Sequence, residues 1–261
     1  MAQVTICPTE AAQLRSTKEY VAGPLWFGSR HRAGSPRRGT RLAPGMVLWL
    51  AIAGFGLLLV GPFKGWDHSE SDLNRSLQDT RSHSWDSVTA LWSHVGNTEI
   101  IIGVCAAAVG VVWWRTRRWW FATIPAIAIS LQATIFVTVS AAIGRPRPDV
   151  PHLDPAPPTS SYPSGHVGAS VALYTSLAIM ATTIERTWLR RTVIGVCSVI
   201  PILVAYARLY RGMHHLSDVI VGAINGLACA GLAAGCLVHP PGETTETDDQ
   251  VAVGEKHGSS A

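Results

Sequence analysis

The sequence predicts an all-α protein, a six-helix transmembrane bundle, and three observations carry that prediction. Hydrophobic residues fill 48% of the 261 positions. Charged residues fill only 15%, against roughly a quarter in globular chains. The shortage of charge is also local. Uncharged runs separate Arg41 from Lys64, Glu99 from Arg115, Arg118 from Arg145, Asp154 from Glu185, Arg191 from Arg208, and Asp218 from Glu243. Each run reaches, or nearly reaches, the about 20 apolar residues that a membrane-crossing helix needs.

Taken in order, the first helix is expected over 43–63, behind a basic segment, 1–42, that is Gly-, Ser- and Arg-rich and expected to be disordered. The second, over 95–114, must keep Glu99 near one membrane face. The third covers 119–143, where Trp119 and Trp120 join Trp113 and Trp114 in an interfacial aromatic belt. The fourth covers 166–184, the fifth 192–209 and the sixth 216–238. Gly222, Gly226 and Ala230 suit close helix packing, and Gln132 and Asn225 suit hydrogen bonds between helices. Residues 239–261 form an acidic tail expected to be solvated and disordered. The domain organisation expected is therefore tail, six-span domain (43–238), tail.

Orientation follows from arginine and lysine in the short flanks. Seven precede residue 45: Arg15, Lys18, Arg30, Arg32, Arg37, Arg38 and Arg41. The stretch "RTRR" after the second helix and "ERTWLRR" after the fourth each add three. With six spans all of these fall on one side, so they and both termini are expected in the cytoplasm, with the protein in the cell membrane. The other side receives residues 64–94, with a weakly amphipathic stretch at "WDSVTALWSHV", then a proline-dense loop and then the turn at "YRGMHHL". The net charge of +4 reflects membrane flanks and gives no reason to expect nucleic acid. The five cysteines show no C-x-x-C pair or zinc spacing and suit buried packing.

Two clusters on the outer side carry chemistry. "SSYPSGHVGAS" sets His166 at the mouth of the fourth helix, and "ARLYRGMHHLSD" sets Arg208, His214 and Asp218 around the turn between the fifth and sixth. Titratable groups at a membrane boundary are costly and usually functional. Arg145, Arg147 and Arg208 offer guanidinium forks that match phosphate oxygens. Ser164 and Gly165 open a helix whose free N–H groups favour an anion. A carboxylate four residues from a histidine can fix its tautomer and leave the other nitrogen free to attack, while a second histidine can protonate a leaving oxygen. Those parts suit phosphoryl transfer through a phosphohistidine, with His214 attacking, Asp218 orienting it and His166 as acid. Other features have plainer readings. Pro151 to Pro158 reads as a rigid connector, Arg211 as an interfacial anchor, and His94, His152 and His215 as satisfied polar residues. Paired alone, His214 and Asp218 could also form half of a metal site.

The segments "GRPRP", "PSGH" and "RLYRGMHHLSD" resemble the three signature motifs of the type 2 phosphatidic acid phosphatase (PAP2) superfamily, the lipid phosphate phosphatases. The resemblance runs from about Ser140 to Asp218. It implies a six-helix bundle of PAP2 type with an outward-facing, metal-independent site and no cofactor. It also implies His214 as nucleophile, Asp218 as its orienter, His166 as acid, and Arg147, Arg208, Ser164 and Gly165 as phosphate ligands. The substrate implied is a lipid-linked phosphate. Two positions depart from the pattern: the family's lysine falls on Ser140 counting back from Arg147, or on Thr138 counting from Arg145, and Ala207 stands where the family has a serine. The missing cation keeps a second reading open, a lipid-phosphate binding or regulatory membrane protein with weak or no turnover.

Overall fold

The structure is a computed structural model, and it describes residues 43–237 apart from residue 157; both tails lie outside the described residues. Among those residues every regular element is helical. They are α1 (Ala43–Val60), α2 (Trp66–Asp79), α3 (His83–Val95), α4 (Thr98–Thr116), the single turn α5 (Trp119–Ala122), α6 (Ile124–Ile143), α7 (Gly165–Ala181), α8 (Thr187–Tyr210) and α9 (Leu216–Leu237).

Five of these, α1, α4, α6, α8 and α9, are long and apolar enough to cross a membrane. The expected fourth span is the shorter α7, with 17 residues. At 1.5 Å per residue it reaches about 26 Å, slightly less than a hydrocarbon core of about 30 Å. Its brevity goes with its position. It packs against α4, α6, α8 and α9, and none of its residues is exposed. A Cβ on Gly226 of α9 would stand 2.5 Å from the carbonyl oxygen of Gly168. Only glycine lets those two backbones meet there. The outer helices turn large apolar side chains outward instead, among them Leu50, Leu57, Val111, Ile202 and Leu227. The chain is a multi-pass membrane protein, since such surfaces are stable only in lipid.

The first outer connection differs from its expected form. Residues 64–94 are mostly two helices, α2 and α3, laid across one end of the bundle. The Ser82 side chain accepts from the Trp85 N–H and starts α3. α2 escapes a search for apolar periodicity because the face it packs is polar: Asp67, Glu70, Ser71 and Asn74 share one helical stripe. Ser71 and Asn74 are buried, and Asn74 Nδ2 donates to the His214 carbonyl at 3.2 Å. Arg81, just beyond α2, donates to the carbonyls of Tyr210 and Pro151. These bonds tie the three connections at this end of the bundle to one another.

Candidate active site

The ends of α3, α6 and α8, the starts of α4, α7 and α9, and the loop 144–164 meet at that same end of the bundle. A cavity of about 540 Å³ lies there, lined at one end by Arg147, Gly165, His166, Arg208 and His214. Two histidines and two arginines from four different chain segments thus face one space, as their motifs led us to expect. Ile101, Ile129, Ala133 and Phe136 make much of the remaining lining apolar, with Thr98, Ser130 and Gln132 among them. Ile102 and Val137, 58% and 59% exposed, stand at its rim. The cavity therefore opens sideways between α4 and α6 onto the apolar flank of the protein.

His214 is buried at 3% exposure, and its Nδ1 lies 2.8 Å from the Ser161 carbonyl oxygen. A carbonyl only accepts, so the neutral ring carries its proton on Nδ1 and keeps the Nε2 lone pair free. Burial, followed by the nearby positive charge of Arg208, pushes this imidazole well below its ordinary pKa, against the opposing pull of Asp218. The ring is neutral near pH 7.

The expected hydrogen bond from His214 to Asp218 is not formed. The closest approach is 4.0 Å. Asp218 is fully buried and has other partners. It accepts from the Ser161 hydroxyl, from the His215 backbone N–H at 2.9 Å and side chain at 3.3 Å, and from Arg145. It acts on His214 at one remove, by fixing Ser161, whose carbonyl holds the ring. His215, read from the sequence as a bland polar residue, is one of those partners.

Arg145 also departs from its expected place. Its side chain is fully buried and lies outside the cavity lining. It is clamped by Asp67, Glu70 and Asp218, with Ser217 as a fourth acceptor at 2.7 Å. Burial alone would lower its pKa, but the three carboxylates outweigh burial and raise it. Ser164 is buried too and lies outside the lining; its N–H donates to the Asp218 carbonyl at 2.9 Å. Gly165, the next residue, does face the cavity, with the Phe136 ring so close that a Cβ would overlap it at 2.8 Å.

Arg208 is 3% exposed. Its Nη1 donates to Asp154 Oδ2 and to the Ser93 hydroxyl, both at 2.9 Å, and Ser93 in turn donates to Asp154 at 2.7 Å. Arg211 is buried rather than interfacial, and it pairs with the other oxygen of Asp154 at 2.7 Å. Burial pushes the Asp154 carboxyl up, but hydrogen bonds from Arg211 and Ser93 and both guanidinium charges hold it below the ordinary carboxylate range. The supposed connector 151–158 therefore carries the counter-charge that aims Arg208. One signal pointed there: Arg208 and Arg211 are three apart on a helix edge, and two buried guanidinium groups need an anion. Arg147 donates from Nη1 to the Met213 carbonyl at 2.7 Å. His166 Nε2 lies 3.1 Å from Asn97 Oδ1, a partner the motifs do not mention. Among the described residues no cluster of three His, Cys, Asp or Glu side chains could hold a metal ion.

These features define a helical membrane protein with a chamber at one end that is lined in part by histidine and arginine. The family model of the PAP2 superfamily matches residues 121–239, which hold all three motifs. No curated protein sequence matches the chain. Among solved structures, it is similar to the first transmembrane PAP2 type phosphatidylglycerolphosphate phosphatase from Bacillus subtilis. That match has a TM-score of 0.63 and 18% identity, covering 75% of this chain and 94% of the other. It is also similar to Aquifex aeolicus LpxE, with a TM-score of 0.51 and 20% identity over 63% of this chain and 94% of the other. At these identities the likeness is one of fold.

Proposed function

We propose that the protein is a six-span membrane phosphatase that hydrolyses a lipid-linked phosphate monoester or diphosphate at the extracytoplasmic face of the cell membrane, with both termini in the cytoplasm. The observation that carries this reading is the shared cavity. One end offers His166, His214, Arg147 and Arg208, and the other is apolar and open to the side. A head group can reach the arginines while its chain stays in the bilayer.

In this mechanism Arg147, Arg208 and the Gly165 backbone hold the phosphate oxygens, and Ser164 closes the turn beneath them. His214 Nε2 attacks phosphorus, and the bond from phosphorus to the lipid oxygen breaks. The departing oxygen takes the electron pair of that bond and a proton from His166. Water then attacks the phosphohistidine, giving a proton to His166, and inorganic phosphate leaves. Asp218 serves as orienter through Ser161, and Arg145 neutralises Asp218 rather than touching substrate. Residues 1–42 and 239–261 are tails to the 43–238 domain. Polyprenyl phosphates or diphosphates, phosphatidic acid and phosphatidylglycerol phosphate are the candidate substrates.

The test is phosphate release from that panel by purified protein in detergent. Wild type is expected to release phosphate in the presence of chelator, and His214→Ala to release none above background. An unimpaired His214→Ala removes the nucleophile from the scheme. The second reading, a lipid-phosphate binder, is favoured by Ser140 at the lysine position. It predicts binding without release by wild type across the whole panel.

A further inference from the structure

The α3–α4 corner sends a side chain into the site that no motif covers. Asn97 occupies the N-cap position of α4, where asparagine normally accepts a hydrogen bond from the first-turn N–H groups. Here the side chain makes no capping bond. Its Oδ1 lies 3.1 Å from His166 Nε2, and its Nδ2 lies 3.1 Å from His94 Nδ1. In this arrangement the amide nitrogen faces His94 Nδ1, which accepts, and the oxygen faces His166. A carboxamide oxygen accepts only, so the His166 hydrogen sits on Nε2 and the exchangeable proton falls to Nδ1. Gly96 makes the approach possible, since a Cβ there would stand 2.8 Å from Val204 Cγ1 and 3.5 Å from His166 Cβ.

We propose that Asn97 is a positioning residue for the proton that His166 gives to the departing lipid oxygen. This deepens the phosphatase reading and rests on it. When the phosphorus–oxygen bond breaks, the electron pair goes to the lipid oxygen, an alkoxide that must be protonated from Nδ1. Asn97 holds the ring by its other nitrogen throughout, and stabilises the doubly protonated form between turnovers. In this first step its contribution is therefore confined to substrates whose leaving group needs a proton.

The experiment compares the first-turnover burst of leaving group from a lipid phosphate and from 4-nitrophenyl phosphate, whose leaving group departs as a stable phenolate; the later water step, which also uses His166, is not read. Asn97→Ala is expected to slow the lipid burst about tenfold or more and to leave the aryl burst near wild type. Asn97→Ser should behave like Asn97→Ala, because serine restores the cap but cannot reach His166. His166→Ala should lose the lipid burst, with the double variant no worse than His166→Ala alone. Equal losses on both substrates at Asn97, a wild-type lipid burst in Asn97→Ser, or multiplying losses in the double variant would each overturn the proposal. If His166→Ala loses the lipid burst while Asn97→Ala keeps it, the phosphatase reading stands and this role falls. A wild type inactive on both substrates removes both.

Discussion

His214 owes its tautomer to a backbone carbonyl, and that shapes what its pH dependence should be. The imidazole must be unprotonated to attack. Burial and the charge of Arg208 depress its pKa, so it stays unprotonated as pH falls through the ordinary value of about 6.5. With an aryl phosphate, kcat/KM should hold steady through that point and decline only at lower pH. An acid limb at or above it would contradict the assignment. The vacant cation position gives a gain-of-function prediction. Ser140 follows Ala133, Phe136 and Val137 on one stripe of α6, so Ser140→Lys would carry an ammonium toward Arg147. It should raise kcat/KM, by up to about a hundredfold if one charge-assisted donor is what the chain lacks. A binder without turnover would acquire phosphate release in the same assay.

At the scale of elements, α2 and the loop 144–164 were the hardest parts to read. The apolar runs exposed α1, α4, α6, α8 and α9 because lipid-facing helices advertise themselves by composition. α2 packs two half-buried carboxylates, a buried serine and a buried asparagine, so nothing apolar marks it, and its partner Arg145 lies far along the chain. The motifs likewise delivered His166, Arg147, Arg208 and His214 to one cavity. They could not deliver Asp154, Asn97 or Ser161, whose roles arise only when separate loops touch. Removing one clamp residue tests how far α2 supports the site. Glu70→Ala takes away acceptors from Arg145 Nη2, the Ser217 N–H and the Ser217 hydroxyl. It should cost about 1–3 kcal/mol, read as a lowered thermal midpoint in detergent. Gly96→Ala should harm turnover more than stability, because the added methyl presses on Val204 and on the His166 Cβ. A full lipid-phosphate rate in that variant would show that the corner yields easily.

For the whole molecule, the alternation of helices puts the loops 61–65, 144–164 and 211–215 at one end and 117–118 and 182–186 at the other. The basic residues of the second group define the cytoplasmic side if the orientation is as proposed. Asp149 and Thr116 are both exposed and report on opposite ends. In intact cells, a membrane-impermeant thiol reagent should add label to Asp149→Cys over the parent chain. Thr116→Cys should gain label only after permeabilisation. The reverse pattern would invert the topology and move the chamber inside.

The side opening between α4 and α6 gives the two products different exits. Phosphate is soluble and leaves through the polar end into water, whereas the dephosphorylated chain slips out between Ile102 and Val137 into the surrounding lipid. Turnover would then answer to how crowded the substrate is within its two-dimensional phase, not to its concentration per litre. Adding inert detergent to mixed micelles at constant total substrate should slow the protein by surface dilution.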